Sequence, residues 1–209
     1  MRKFPANLVY GSVVYPLKIG LFGGSFNPAH EGHLYISEQA LRQLGLDQVW
    51  WLVSPQNPLK SAKGMAPFSK RFDSAQKIAS KNPKIMVSDI ETQLGTTYSW
   101  PLIQVLLKRN KRAEFTWLMG ADNWEIFHKW MNWRDILESL PVAIFPRPGV
   151  LPSTSRSIAA RIYKSARLFK TDGVKYTLKD APKWTYMNFA PHGASSTAIR
   201  EKVSGKWWD

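Results

Sequence analysis

Short apolar runs alternate with longer amphipathic stretches along most of this chain, and that alternation is what most limits its fold. The runs are LKIGLFG (17–23), QVWWLVS (48–54), KIMVSD (84–89), EFTWLMG (114–120) and PVAIFP (141–146). Rich in β-branched and aromatic residues, they read as five buried strands. Between them lie EGHLYISEQALRQLG (31–45), SKRFDSAQKIAS (69–80), SWPLIQVLLKRN (99–110) and the shorter NWRDILESL (132–140). These read as helices. Leu34, Ile36 and Leu41 fall near one face of the first, which Gly45 ends, and Pro101 is tolerated in the first turn of the third. Strands and helices in this order predict an α/β fold with a doubly wound parallel sheet. Ligands of such sheets bind beyond the carboxyl ends of the strands. The segments following the runs include GSFNPAHEGH, PQNPLK, IETQLGTTYS, ADNWEIFHKW and RPG, each rich in Gly, Pro, Asn or polar groups. They should line one rim.

At 209 residues the chain has room for one sizeable core. We expect an N-terminal extension over 1–16 and a single domain over 17–209. No apolar run approaches the roughly 20 residues of a membrane-spanning helix. The start, MRKFPANLVYGSVVYPLK, has no continuous apolar region or small-residue cleavage site, which argues against a signal peptide. Without cysteine there is neither a disulfide framework nor a thiolate metal site, as expected of a cytoplasmic protein. Lys and Arg number 29 against 15 Asp and Glu, a net charge of +14. Such a field draws polyanions: nucleic acid, an anionic membrane or phosphorylated small molecules. Residues 151–183 hold eight basic against two acidic residues. That segment reads as a solvated basic helix and loop, with nucleic-acid binding as the rival.

The stretch GLFGGSFNPAHEGHL (20–34) carries the chemistry. Gly23 and Gly24 end the first strand, where missing side chains let backbone N–H groups approach an anion. The pattern is neither G-x-G-x-x-G nor G-x-x-x-x-G-K-[ST], so the common dinucleotide and P-loop fingerprints do not apply. Pro28 shapes the turn into the helix. His30 and His33 then sit three apart, on one side of its first turn. Imidazoles there are placed to donate to phosphate oxygens. A metal site is the rival reading, but two histidines without a carboxylate triad make a thin zinc site.

These residues resemble the phosphate-binding signature of the nucleotidyltransferase α/β phosphodiesterase superfamily, with H-x-G-H at His30–His33. A second signature of that superfamily, a serine-rich turn opening a helix and ending in arginine, is matched by ASSTAIRE with Ser195, Ser196, Thr197 and Arg200. Within the superfamily the chain most resembles the bacterial nicotinate-nucleotide adenylyltransferases, from about Lys18 to Lys202. The further matches are VSPQNPLK, TYS, GADN, Trp130 and RPG. SFNP stands for the usual TFDP, TYS for SYT, and Ala194 for an isoleucine. Residues 1–16 and the basic stretch after Gly149 match poorly, which leaves oligomerisation and substrate closure open.

The resemblance implies a Rossmann-like nucleotidyltransferase fold and adenylyl transfer from ATP to nicotinate mononucleotide. It implies His30, His33 and Arg200 as catalytic, with Gly23, Gly24, Ser25, Phe26, Asp122, Ser195, Ser196 and Thr197 joining them around ATP. Ser25, Asn27, Lys60, Thr97, Tyr98, Trp130 and Arg147 are the expected mononucleotide contacts. Mg²⁺ would travel with ATP, held by phosphate oxygens and water rather than by a protein cage. Nicotinamide mononucleotide or another phosphate ester is the alternative acceptor. A non-catalytic basic nucleic-acid-binding protein is the alternative of another class, against which stands the lack of an RNP, KH or zinc-finger pattern. Membrane partners are not expected, and a homo-oligomer is left open.

Overall fold

The computed structural model describes residues 7–10, 13–56, 63–147, 157–169, 180–203 and 206–208. The central strands are apolar on both faces because helices cover both. β1 (Asn7–Tyr10) and β2 (Val13–Pro16) form an antiparallel hairpin of their own. The sheet proper begins with β3 (Lys18–Gly24), followed by α1 (Glu31–Gln43), β4 (Gln48–Val53), α2 (Phe68–Ala79) and β5 (Ile85–Ser88). After α3 (Ile90–Gln93) and α4 (Ser99–Arg109) come β6 (Glu114–Gly120), α5 (Ala121–Glu125), α6 (Trp133–Ser139) and β7 (Val142–Phe145). The described remainder holds α7 (Ile158–Ile162), β8 (Arg167–Leu168), β9 (Trp184–Tyr186) and α8 (Ser196–Lys202).

Seven strands run parallel in the order β5-β4-β3-β6-β7-β9-β8. The five strands read from the sequence are all present, each within two residues of its expected ends. Two were missed. β9 slots between β7 and β8, and Trp184, the first residue after the segment read as a basic helix and loop, is 1% exposed.

Alternate residues along each strand feed two cores, one on each side of the sheet. Ile19, Leu21, Trp50, Leu52, Phe115 and Trp117 pack with Leu102, Ile103, Ile136 and Leu137 of α4 and α6. Phe22, Val49, Trp51, Val53 and Leu118 pack with Leu34, Ile36 and Ala40 of α1 and Ala75 of α2. The result is a three-layer α/β/α unit. From β3 the chain winds outward through β4 and β5, then returns to lay β6 on the other side of β3. That reversal opens a crevice at the carboxyl ends of β3 and β6. No helix among the described residues is long and apolar enough to cross a membrane.

Candidate active site

The floor of the crevice is the turn after β3. Gly23 lies against the Trp117 ring of β6, and a Cβ there would stand 3.2 Å from it. Phe26 follows at φ 48°, a left-handed conformation that costs a bulky residue on the order of 1–3 kcal/mol. Aromatic packing offsets that cost, since Phe26 stacks on Trp51 at 5.0 Å and meets the His33 ring at 4.9 Å.

α1 opens with a reciprocal cap made of imidazoles. The Gly32 N–H donates to His30 Nδ1 at 3.1 Å, and the His30 N–H donates to His33 Nδ1 at 3.2 Å. Histidines here do what serine and glutamate do in the usual capping box. A ring nitrogen that accepts from an N–H carries no proton, so each neutral ring holds its proton on Nε2. The rings lie 3.9 Å apart and both are buried. Burial, and then the charges of Arg147 and His192, lower the His30 imidazole from 6.5 to about 4. At neutral pH it is an uncharged donor. Trp51 anchors the helix behind this pair: its indole N–H donates to Ser37 Oγ, which donates to the His33 carbonyl.

Gly32 makes the junction with the C-terminal motif. A Cβ there would lie 2.9 Å from the His30 ring and 3.2 Å from the Ala194 carbonyl. Beyond Ala194, Ser195 caps α8 by accepting the Ala198 N–H at 3.0 Å. Ser196 Oγ donates to the Pro28 carbonyl at 2.9 Å, and Arg200 donates to the Asn27 carbonyl at 2.6 Å and to Thr197 Oγ1 at 3.1 Å. The two motifs, far apart in sequence, form one wall. Opposite, Arg147 and Asp122 pair at 3.5 Å. The pair packs closely on Gly120, the last residue of β6, where a Cβ would meet Asp122 Oδ1 at 2.3 Å and Arg147 Nε at 2.6 Å.

Two cavities result. The larger, about 630 Å³, is lined by Gly23, Gly24, Ser25, Phe26, Asn27, His30, His33, Asp122, Arg147, Ser195, Ser196, Thr197 and Arg200, all named from the sequence. The smaller, about 100 Å³, is lined by Thr97, Tyr98 and Trp130, and shares Gly23, Gly24, Ser25 and Asn123 with the larger. Asn27 and Arg147, expected at the mononucleotide, thus line the same cleft as the residues expected at ATP. Lys60 lies outside the described residues, and Lys63, three positions on in the sequence, lines the larger cleft.

Residues 21–202 match the family model described as cytidylyltransferase-like. A protein of Parvibaculum lavamentivorans named "Probable nicotinate-nucleotide adenylyltransferase" is 48% identical over 91% of this chain and 94% of its own length. A protein of Rhizobium meliloti with the same name is 44% identical over 90% of this chain and 100% of its own.

The chain belongs to the nicotinate-nucleotide adenylyltransferase family.

A solved nicotinic acid mononucleotide adenylyltransferase of Plasmodium falciparum, complexed with NaAD, shares the fold. Its TM-score is 0.67 at 18% identity, over 88% of this chain and 83% of that one. As a member of the nicotinate-nucleotide adenylyltransferase family, the chain is a nucleotidyltransferase.

Other residues of the site escaped the sequence reading. Glu91 of α3 is 4% exposed on the wall of the smaller cavity. Burial pushes its carboxyl up from 4.5 to about 7, against the opposing pull of a Ser54 hydrogen bond and the Arg71 charge. Trp117 Nε1 and Ser25 Oγ, on the same walls, are buried with no hydrogen-bond partner among the described residues, so a polar ligand would satisfy both. Arg71, fully buried in α2, donates to the carbonyls of Ser25, Ser54, Pro55 and Ala66 and so fixes the loops after β3 and β4. In sequence it is one more charge on an amphipathic helix. Only the four carbonyls gathered around it reveal its job.

The larger cleft suits a nucleotide that brings its own cation. Asp122 is the one carboxylate among its described lining residues, and no trio of His, Cys, Asp or Glu able to hold a metal ion occurs among the described residues. Such a donor set fits a hard divalent ion whose other ligands are phosphate oxygens and water.

Proposed function

We infer that the chain joins ATP and nicotinate mononucleotide: the mononucleotide phosphate attacks the α-phosphorus of ATP, pyrophosphate leaves, and deamido-NAD is formed, a step of NAD biosynthesis. One observation carries the reading. The imidazole cap of α1 and the serine–threonine turn of α8 meet across Gly32 at the sheet's reversal, beside a second aromatic cavity that shares the glycine floor.

The attacking phosphate is already an ionised nucleophile, so the protein needs no nucleophilic side chain of its own. It must align two polyanions and stabilise charge as it develops. The Nε2–H groups of His30 and His33 are neutral, pre-oriented donors for ATP phosphate oxygens, with His33 assigned to the α-phosphate. Gly23, Gly24, Ser25 and Phe26 supply the backbone that wraps the phosphates. Ser195, Ser196 and Thr197 add hydroxyls, and Arg200 takes the β- and γ-phosphates. Asp122 is assigned to the adenosine side, and Arg147, paired with it at 3.5 Å, to the mononucleotide beside it. Mg²⁺ bound to the ATP phosphates would supply further charge neutralisation, with Asp122 as the carboxylate nearest to hand. Thr97, Tyr98 and Trp130 receive the pyridine ring, Trp130 already lying edge-on to Trp117 at 6.2 Å. Ser25, which lines both cavities, is assigned to the meeting of the two substrates, Asn27, which lines the larger cleft alone, to its ATP side, and Lys60 to the acceptor set. The reaction suits the cytoplasmic setting expected from the sequence.

Pyrophosphate release from ATP and Mg²⁺ tests this, with nicotinate and nicotinamide mononucleotide compared side by side. Turnover should favour the nicotinate form and fall about 100- to 1,000-fold in His33→Ala, the range for loss of one preorganised donor. Preference for the nicotinamide form would reassign the acceptor. No release with either would overturn adenylyl transfer in NAD biosynthesis.

A further inference from the structure

α8 carries the serine–threonine turn, yet none of its seven residues is buried. Apolar packing therefore does not hold it in place, although packing supplies most helix stability in proteins. Its position rests on polar anchors to two successive carbonyls of the turn after β3. Ser196 Oγ donates to the Pro28 carbonyl at 2.9 Å, and Arg200 donates to the Asn27 carbonyl at 2.6 Å. A third anchor comes from beyond the helix. The Trp207 indole N–H donates to Asn27 Oδ1 at 3.0 Å.

Asn27 is 7% exposed and joins three walls of the larger cleft. Its Nδ2 donates to the Gly64 carbonyl at 2.9 Å, and its Oδ1 also accepts the Ala66 N–H at 3.2 Å. The side-chain amide thus ties the turn after β3 to the 63–66 loop. Arg200 grips the backbone oxygen of the same residue and Trp207 its side-chain oxygen. Trp208 packs edge-on against Trp207 at 5.7 Å, so the indole is braced from the far side.

We propose that Trp207 is a positioning residue for the ATP half of the reaction, acting through Asn27 to hold α8 and the 63–66 loop in register around the larger cleft. It lines neither cavity itself, and Asn27, to which it donates, lines the larger cleft and not the smaller. Its loss should therefore weaken ATP and spare the acceptor. The proposal rests on the assignment of the larger cleft to ATP made above.

Calorimetric titration of the full chain with a non-hydrolysable ATP analogue and Mg²⁺, and separately with nicotinate mononucleotide, is the test. Trp207→Phe keeps the apolar bulk and removes only the N–H. It should weaken the ATP analogue about three- to tenfold, leave mononucleotide affinity unchanged and lower the melting temperature by no more than the roughly 2–4 °C that one neutral hydrogen bond is worth in a chain of this size. In an Asn27→Ala background the same substitution should add nothing, because its route is gone. Equal ATP affinity in parent and Trp207→Phe, a parallel loss for both ligands, or a full effect in the Asn27→Ala background would each overturn the proposal. A parent that binds no ATP analogue would overturn the cleft assignment, and this inference with it.

Discussion

His30 and Glu91 sit on neighbouring walls of the crevice and burial displaces their titrations in opposite senses, His30 from 6.5 down to about 4 and Glu91 from 4.5 up to about 7. Between pH 6.5 and 4 the unfolded chain takes up a proton at His30 that the folded chain refuses, so this contribution is intact above 6.5 and lost as pH falls through about 4. The Glu91 contribution is intact below 4.5 and lost as pH rises through about 7. Over the shared window the two slopes are similar in size and oppose one another. Glu91→Gln should therefore unmask the histidine, making stability climb with pH from about 4.5 to about 6.5. His30→Asn, which keeps a capping oxygen, should unmask the glutamate and make stability fall over the same range. Urea midpoints of the three proteins check this, and three parallel curves would refute it. The histidines were legible in sequence because three-residue spacing fixes a common helix face. Glu91 was not, because a carboxylate in IETQ looks solvent-facing until the fold brings it onto the wall of the smaller cavity with Tyr98 and Trp130.

At the scale of elements, the junction of α1 with the segment leading into α8 is a backbone contact that tolerates no side chain. Gly32→Ala should leave the fold intact, since alanine is the better helix former. Its Cβ, 2.9 Å from the His30 ring and 3.2 Å from the Ala194 carbonyl, should nevertheless push the two motifs apart. Turnover should drop by about 10-fold, because shifts of a few tenths of an ångström fall short of the roughly 1 Å misplacement that costs about 100-fold. A melting temperature near that of the parent with much lower kcat/KM is the expected pair of results; unaltered kcat/KM would show that the contact is incidental. The long strands were read correctly because β-branched and aromatic runs have few other destinations. β9 was missed because WTY follows a lysine-rich segment and is only three residues long. What makes it a strand is the vacant edge of β7, a tertiary fact. Its neighbour explains one basic residue of that segment: Arg167 lies over the rings of Phe169 at 4.4 Å and Trp184 at 5.2 Å, so it braces the sheet edge.

At the scale of the whole molecule, the parallel sheet and its reversal turn two distant motifs and two loops into one rim, and that convergence was legible before any coordinates. The division of the rim into two unequal cavities was not, because it depends on how side chains from separate elements pack, with Trp117 of β6 lining the smaller and Phe26 the larger. The described residues that line both cavities are Gly23, Gly24, Ser25 and Asn123, so the wall between them is thin. Two ligand halves seated on either side of so thin a wall lie within a short covalent tether of one another. Once one half is bound, the other experiences a local concentration set by that tether, not by the solution. A single molecule carrying an adenosine and a pyridine nucleoside, joined by a linker of phosphate length, should bind about 10²- to 10⁴-fold tighter than the better of its halves. Competition titration against the separate nucleotides would measure that gain, and a tethered compound no tighter than its halves would mean that the wall keeps the two pockets from being filled together.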